Sequence, residues 1–526
     1  MKKLIALLFI PVLLISLVTG CAKQNKTDNI SDNSIAVNEI AVSGIEGTED
    51  SEVSEAVNSD VYVSSGNTVQ GASGGKSTAA EYAGAGVLLS GEITSITLGN
   101  KINVSGSGVT VQGSTVSIIS GGNYSVSGTL ANGQILVNAK NATVNLELAG
   151  ASITNPTGSA IYVKDADMTN IILKENTANS LTDGESYSDI KLKAALFSED
   201  SLTITGNGAL SVTGKYKHGI ASDDDLIIKG GKITVVSAVK DGFHANDAVI
   251  IDGGSISITA SSDGIESELI ATVNGGSLTI DADDDGIHAE TVLTINGGTI
   301  NVVKSYEGLE GKTDVIINNG NMRLKSSDDS INAGKNLIIN GGYIYAECNG
   351  DGLDSNGNMT INGGTVIIFS GNNANGAIDF GDGGAYSFII NGGTVIATGG
   401  NMGVTVSAES KQYSMWIGAQ ISADTLVNIS AESGVEITTF SLVKSSSLIF
   451  YSSDKLSLNS EYTISTGGTH SGKSTDSVYG SGKYSGGTVL GSVTMSSKNV
   501  SCGNSGGMGG MGRNGFGNGG GGRRPR

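Results

Sequence analysis

Residues 263–284 read DGIESELIATVNGGSLTIDADD, and residues 285–306 read DGIHAETVLTINGGTINVVKSY. Laid over one another, the two strings agree in their acid-glycine pair, their Asn-Gly-Gly triplet and most of their aliphatic positions. The agreement continues outward. The second glycine of the turn recurs at Gly231, Gly254, Gly276, Gly298, Gly320, Gly342 and Gly364, with a spacing of 23 residues once and 22 five times, and Gly393 follows after a longer gap. Two residues before it stand Asp252 and then Asn274, Asn296, Asn318, Asn340 and Asn362.

Four apolar columns share the period. They are Phe243, Ile265, Ile287, Leu309, Ile331 and Leu353; Ile251, Val273, Ile295, Ile317, Ile339 and Ile361; Ile256, Leu278, Ile300, Met322, Ile344 and Val366; and Ile258, Ile280, Val302, Leu324, Ala346 and Ile368. Within a unit the apolar residues alternate with polar ones, and a period of two means strands. Several short strands in every 22 residues predict an all-β chain wound as a parallel β-helix, a solenoid of about 22 residues per rung. A propeller blade needs about 40–45 residues, and a leucine-rich repeat carries a different pattern. With rungs about 4.8 Å apart, like side chains stack on like. The asparagines then suit a ladder of amides at a turn, with the left-handed backbone that Asn tolerates.

Composition supports this reading. Of 526 residues 79 are Gly and 3 are Pro, and 16% are charged. Glycine at this density excludes long helices, where each costs about 1 kcal/mol, and scarce proline excludes collagen. The net charge of −20 makes nucleic acid a poor partner and cations good ones. Three cysteines, Cys21, Cys348 and Cys502, do not form a disulfide framework.

The ends carry other signals. Lys2 and Lys3, the apolar run 4–17 and Val18-Thr19-Gly20-Cys21 read as a lipoprotein signal peptide, residues 1–21, with Cys21 lipidated. Residues 22–85 read as a flexible acidic tether. The domain is thereby expected at the cell surface, lipid-anchored to the outer face of the cytoplasmic membrane, with no other membrane contact. Residues 86–400 are the solenoid, 401–500 a β-rich C-terminal cap over its open end, and 501–526 a disordered Gly-rich basic tail.

A second motif repeats once per rung: Asp241-Gly242-Phe243-His244, Asp263-Gly264-Ile265-Glu266, Asp285-Gly286-Ile287-His288, Glu307-Gly308-Leu309-Glu310, Asp329-Ser330-Ile331-Asn332 and Asp351-Gly352-Leu353-Asp354. A buried column of carboxylates is expensive, so the first acid is expected on the surface and the fourth residue is expected to point outward. Carboxylates about 4.8 Å apart repel by roughly 3–4 kcal/mol at an effective dielectric of about 20. Ca²⁺, which binds oxygens at about 2.3–2.6 Å, bridges such a spacing. The expected ligands are Asp241, Asp263, Glu266, Asp284, Asp285, Glu307, Glu310, Asp328, Asp329, Asp351 and Asp354, with Glu268 and Glu290 nearby. The alternative is a solvated acidic face. His244 and His288, 44 residues apart, fall two rungs apart; no cysteine accompanies them, and a zinc or catalytic role is set below the calcium reading.

From about residue 93 to 400 the chain resembles a family of secreted right-handed parallel β-helix carbohydrate-binding domains, similar in shape to pectate lyases. The resemblance is carried by ordered segments: Ser127-Gly128-Thr129-Leu130 before Gly133-Gln134-Ile135-Leu136-Val137, Gly150-Ala151-Ser152-Ile153-Thr154 before Ala160-Ile161-Tyr162-Val163, the run 176–184, Leu202-Thr203-Ile204-Thr205-Gly206-Asn207-Gly208 and His218-Gly219-Ile220-Ala221-Ser222-Asp223-Asp224, all ahead of the acid ladder. It implies binding of cellulose and of acidic polysaccharides such as polygalacturonate, several bound calcium ions and no catalysis. The chain departs from the pattern at His218, which stands where an acid is expected, and at Gly376-Ala377-Ile378-Asp379.

The function expected is a non-catalytic, calcium-dependent polysaccharide-binding surface lipoprotein. The alternative is a calcium-dependent polysaccharide lyase, with Arg323, Lys240, Lys304 or Lys325 as base. A structural or adhesive surface protein is a second alternative. Trp416 is the single tryptophan, and Tyr306, Tyr343 and Tyr345 are the aromatic candidates for a sugar platform or for ordinary strand positions.

Overall fold

The computed structural model describes residues 89–371, 376–381, 385–400 and 404–503. The signal peptide with Cys21, the tether and residues 504–526 lie outside the described residues. Every regular element described is a strand, and the strands wind into a parallel β-solenoid of about 11 turns with about 23 residues each.

One rung shows how the sequence makes the coil. Strands Ile265–Ser267, Ile270–Val273 and Ser277–Ala282 are followed by Ile287–Ala289, Val292–Ile295 and Thr299–Lys304 in the next turn. Each pairs in parallel with its equivalent, with Ile265 opposite Ile287, Val273 opposite Ile295 and Leu278 opposite Ile300. The 22-residue offset of the sequence is therefore the pairing register. All four apolar columns point into the coil and are buried, from Phe243 to Leu353 and from Ile251 to Ile361. Burying each such aliphatic side chain is worth about 1.5–3 kcal/mol relative to exposure.

The corner between the second and third strands is the Gly-Gly turn. Its second glycine holds a positive φ in every copy, from +86° at Gly276 to +116° at Gly320, a backbone that other residues adopt only under strain. The preceding asparagines do not take the left-handed conformation expected of them. They form the amide ladder instead: Asn296 Nδ2 donates to Asn274 Oδ1 at 2.8 Å, Asn318 to Asn296 at 2.7 Å and Asn340 to Asn318 at 2.7 Å.

Parallel stacking stops at Thr394–Gly399, which pairs antiparallel with Ser446–Ser452. Beyond it Leu426–Ala431, Glu436–Ser441, Glu461–Thr466 and Thr488–Thr494 belong to a separate antiparallel sheet. The expected start of the tail at Ser501 is wrong. Asn499–Gly503 is a strand that pairs in parallel with Ser414–Gly418, and it buries Cys502. Cys348 and Cys502 are both free thiols.

Candidate functional site

The third strand of each rung ends at the acid corner, and the next short strand begins there. Register places the acids directly above one another, but none is fully on the surface: Asp241 and Asp263 are 1% exposed, Asp329 is 9% exposed, and Glu307 and Asp351 are half-buried. The expectation of an outward, solvated column is overturned, and so is the alternative of splayed surface acids. Weighing burial as the cost of a bare carboxylate left out the peptide groups of the neighbouring rung. Asp241 Oδ1 accepts the N–H of Asp263 at 3.3 Å, Asp263 Oδ1 that of Asp285 at 2.9 Å, Asp285 Oδ1 that of Glu307 at 3.2 Å, and Asp329 Oδ1 that of Asp351 at 2.6 Å. Such charge-assisted bonds are roughly twice as strong as neutral ones. The glycine after the acid is required by crowding: a Cβ on Gly264 would lie 2.3 Å from Ile280 Cγ2 and 2.6 Å from the carbonyl oxygen of Gly286.

The fourth residue of the motif also departs from expectation. His244, Glu266, His288 and Glu310 are all buried, because these side chains fold back over the acids instead of reaching solvent. His244 Nδ1 is 3.2 Å from Asp241 Oδ2 and 3.3 Å from Glu266 Oε2. His288 Nδ1 is 3.1 Å from Asp285 Oδ2 and 2.6 Å from Glu310 Oε2.

Among the described residues, five groups bring metal-ligating atoms within 4.8 Å of one another: His218, Asp241 and His244; Asp241, Asp263 and Glu266; Asp263, Asp284 and Asp285; Asp285, His288 and Glu310; and Glu266, His288 and Glu290. They gather six of the expected ligands, Asp241, Asp263, Glu266, Asp284, Asp285 and Glu310. Glu307, Asp328, Asp329, Asp351 and Asp354 fall outside them. Sequence reasoning took His218 as a departure from the acid pattern, at an end where no ion was expected, and it set the two column histidines aside. The signal was present in the Asp-Gly-x-His spacing, which lays a ring over its own acid.

The outlying acids form an oxygen-only upper part of the column. Asn332 Nδ2 donates to both oxygens of Glu307 at 3.1 Å. Asp351 Oδ1 accepts the Gly376 N–H at 2.6 Å. The Oδ1 atoms of Asp328 and Asp329 converge on Gly350, where a Cβ would sit 2.4 and 2.3 Å from them. A side chain there would fill this cradle. The donor set of hard oxygens fits a calcium ion.

Electrostatics singles out the acid between the imidazoles, whereas burial and the neighbouring carboxylates push Asp263 in the next rung well above the usual carboxylate range. Burial alone would raise Asp241, but the imidazoles of His218 and His244 hold it well below the usual carboxylate range. Burial depresses His244 less than Asp241 and Glu266 raise it, and it is pushed up to about 9. In the upper part burial comes first and neighbouring carboxylates second. Together they push Glu307 and Asp354 up to about 8, Asp351 to about 7 and Asp329 to about 6.

The opposite end of the third strand is a different surface. A trough of about 1130 Å³ runs along the Gly-Gly turns, past Gly231, Asn274, Gly276, Thr299 and Asn321 to Tyr343. Its lining is mostly amide, hydroxyl and bare backbone, with the Lys232 ammonium near one end and Tyr343 at the other. The aromatic candidates largely leave the picture. Trp416 is buried in the core. Tyr343 and Tyr345 pack against the apolar cluster of the C-terminal region, and Tyr343 donates to Asp476 Oδ2 at 2.6 Å. Tyr306 alone is well exposed, at 40%. Of the candidate bases, Arg323 is held by both carboxylate oxygens of Asp476, Lys304 pairs with Asp283, and Lys325 Nζ is 3.8 Å from Glu347.

Fold and site together describe a repetitive scaffold with a long polar trough and a buried, charged spine. Comparison with known proteins agrees: the family of carbohydrate-binding domain-containing proteins matches residues 112–374 and 308–478, and this chain belongs to that family. A carbohydrate-binding domain-containing protein of Acetivibrio thermocellus is 41% identical over 106 residues, 19% of this chain and 37% of that protein's length. A solved structure, the gadolinium derivative of a polysaccharide lyase-like protein from C. thermocellum, is 32% identical with a TM-score of 0.39. It covers 49% of this chain and 95% of its own.

Proposed function

We propose that this chain is a non-catalytic polysaccharide-binding protein that lays a linear glycan along the trough of Gly-Gly turns, and that calcium held in the oxygen-only part of the acid column stiffens the coil behind it. The observation that carries the reading is the trough itself. It presents the same glycine backbone at every rung, flanked by small polar side chains over most of its length and by Lys232 and Tyr343 toward its ends, and a polymer of repeating sugars is the ligand that uses a one-dimensional repeat. Cellulose and polygalacturonate are the two chemistries to compare, the first relying on hydroxyls alone and the second adding carboxylates. Because the first acids are buried, calcium acts chiefly within the protein wall. The partly exposed Asp328 is the point from which it reaches a sugar carboxylate. Surface anchoring through Cys21 would hold the binder at the cell exterior.

The test is retention of the full-length chain on insoluble cellulose and on polygalacturonate gel, with calcium and with chelator. Ser277 and Thr299 are exposed positions lining the trough. Ser277→Trp and Thr299→Trp are expected to reduce retention several-fold and leave the melting temperature unchanged. Equal retention by both variants would overturn the trough as the site. Rising ultraviolet absorbance from unsaturated product during incubation with polygalacturonate would replace the binder by a lyase.

A further inference from the structure

We infer that the N-terminal end of the acid column is a mixed nitrogen-and-oxygen site for a zinc-class divalent cation, formed by His218, Asp241 and His244, with Glu266 beside His244. This goes beyond the calcium reading and concerns different residues from the oxygen-only part. Ile220 pairs with Phe243, so His218 occupies in its rung the place that Asp241 takes in the next. Both imidazoles turn the same nitrogen onto one carboxylate oxygen. His218 Nδ1 is 2.9 Å and His244 Nδ1 3.2 Å from Asp241 Oδ2, with the rings stacked at 4.3 Å between centroids. Glu266 Oε2 lies 3.3 Å from His244 Nδ1.

Three observations point to a cation. His218 is 5% exposed, and the one group its Nδ1 meets is the Asp241 carboxylate, 2.9 Å away and outside good hydrogen-bond geometry. A buried imidazole nitrogen aimed at a carboxylate without hydrogen-bond geometry is placed as a ligand atom would be. The spacings agree as well. Ligands about 2.0–2.1 Å from a tetrahedral zinc are roughly 3.3 Å from one another, and the separations here run from 2.9 to 3.3 Å. Finally, His244 Nε2 faces Glu268 Oε1 at 3.7 Å. Metal-bound histidines commonly offer their second nitrogen to a carboxylate, which orients the ring. Calcium takes oxygen ligands, whereas imidazole suits zinc, copper, iron and nickel. The similar group at Asp285, His288 and Glu310 is a weaker candidate, because the Lys312 ammonium already sits on Glu310.

The test strips the full-length chain with chelator and titrates it with cobalt(II), then zinc, first without calcium and then after adding it in excess. The expected result is the visible absorption of tetrahedral cobalt with nitrogen ligands, displaced by zinc and indifferent to calcium. His218→Asn and His244→Asn should weaken zinc binding by about 100-fold and Glu268→Gln by roughly 10-fold. Absence of the cobalt bands, their loss on adding calcium, or wild-type zinc affinity in both histidine variants would overturn the inference. Should those variants fail to fold, zinc-edge absorption of the wild-type protein decides by showing or not showing nitrogen neighbours. A chain that binds cobalt here but gains no stability from calcium would sink the calcium reading and leave this one standing.

Discussion

The two corners of the coil repeat with one period and have opposite characters. At the Gly-Gly corner the stacked side chains are exposed, uncharged after Asp252 at the head of the column, and bonded to one another, each asparagine donating to the last. At the acid corner they are buried and charged, and they are satisfied chiefly by the backbone of the next rung and by imidazoles. Periodicity dictates that like residues stack. It does not dictate which side of the wall they occupy. A self-complementary amide needs no support from the fold, whereas a like-charged stack persists only where peptide groups, protons or cations are supplied to it.

Substitutions at the two corners can sharpen this contrast. The largest effect is expected from Gly264→Val, because even a Cβ meets Ile280 and the Gly286 carbonyl at under 3 Å. A loss of about 3 kcal/mol in denaturant unfolding is expected, and a loss below about 1 kcal/mol would show that the rungs can part. Next comes pH. Glu307 and Asp354 are raised from ordinary values of about 4.3 and 3.9 to about 8, with Asp351 and Asp329 between. A raised carboxyl binds its proton more tightly when folded, so its stabilisation is complete below about pH 4 and is lost as pH rises through about 6 to 8. His244, raised to about 9, loses its contribution in the same direction. In chelator the melting temperature should therefore fall between about pH 5 and pH 9, and excess calcium should flatten that slope. A rise over this window would contradict the buried column.

Asn296→Ala breaks two links of the exposed ladder, its donation to Asn274 and its acceptance from Asn318. It should cost about 1 kcal/mol and show no dependence on calcium. Smallest is Thr279→Val, on the exposed face of the strand between the corners. It should stay within about 0.5 kcal/mol, and a larger change would mean that the face is not open to solvent.

Much of the architecture could be read from the residues because the coil interior admits only apolar side chains. The columns led by Phe243, Ile251, Ile256 and Ile258 all proved to be core. The acid corner was legible as a column but not as a buried one. Charge normally reports surface, and the compensating peptide N–H groups come from a rung 22 residues away. His218 was read as the loss of a ligand because it replaces the acid and does not accompany it. The C-terminal region repeats nothing, so neither the separate antiparallel sheet nor Asp476 reaching back to Arg323 and Tyr343 could be anticipated.

The antiparallel seam of Thr394–Gly399 with Ser446–Ser452 has a wider consequence. An open parallel coil offers its last rung as a template on which another molecule could continue the winding, and filaments grow that way. Near the other end Ile93–Leu98 likewise meets Asn103–Ser105 in antiparallel fashion. Among the described residues a reversed strand thus stands directly against the coil at each end, so a second copy could not continue the winding from Thr394–Gly399 or from Ile93–Leu98 themselves.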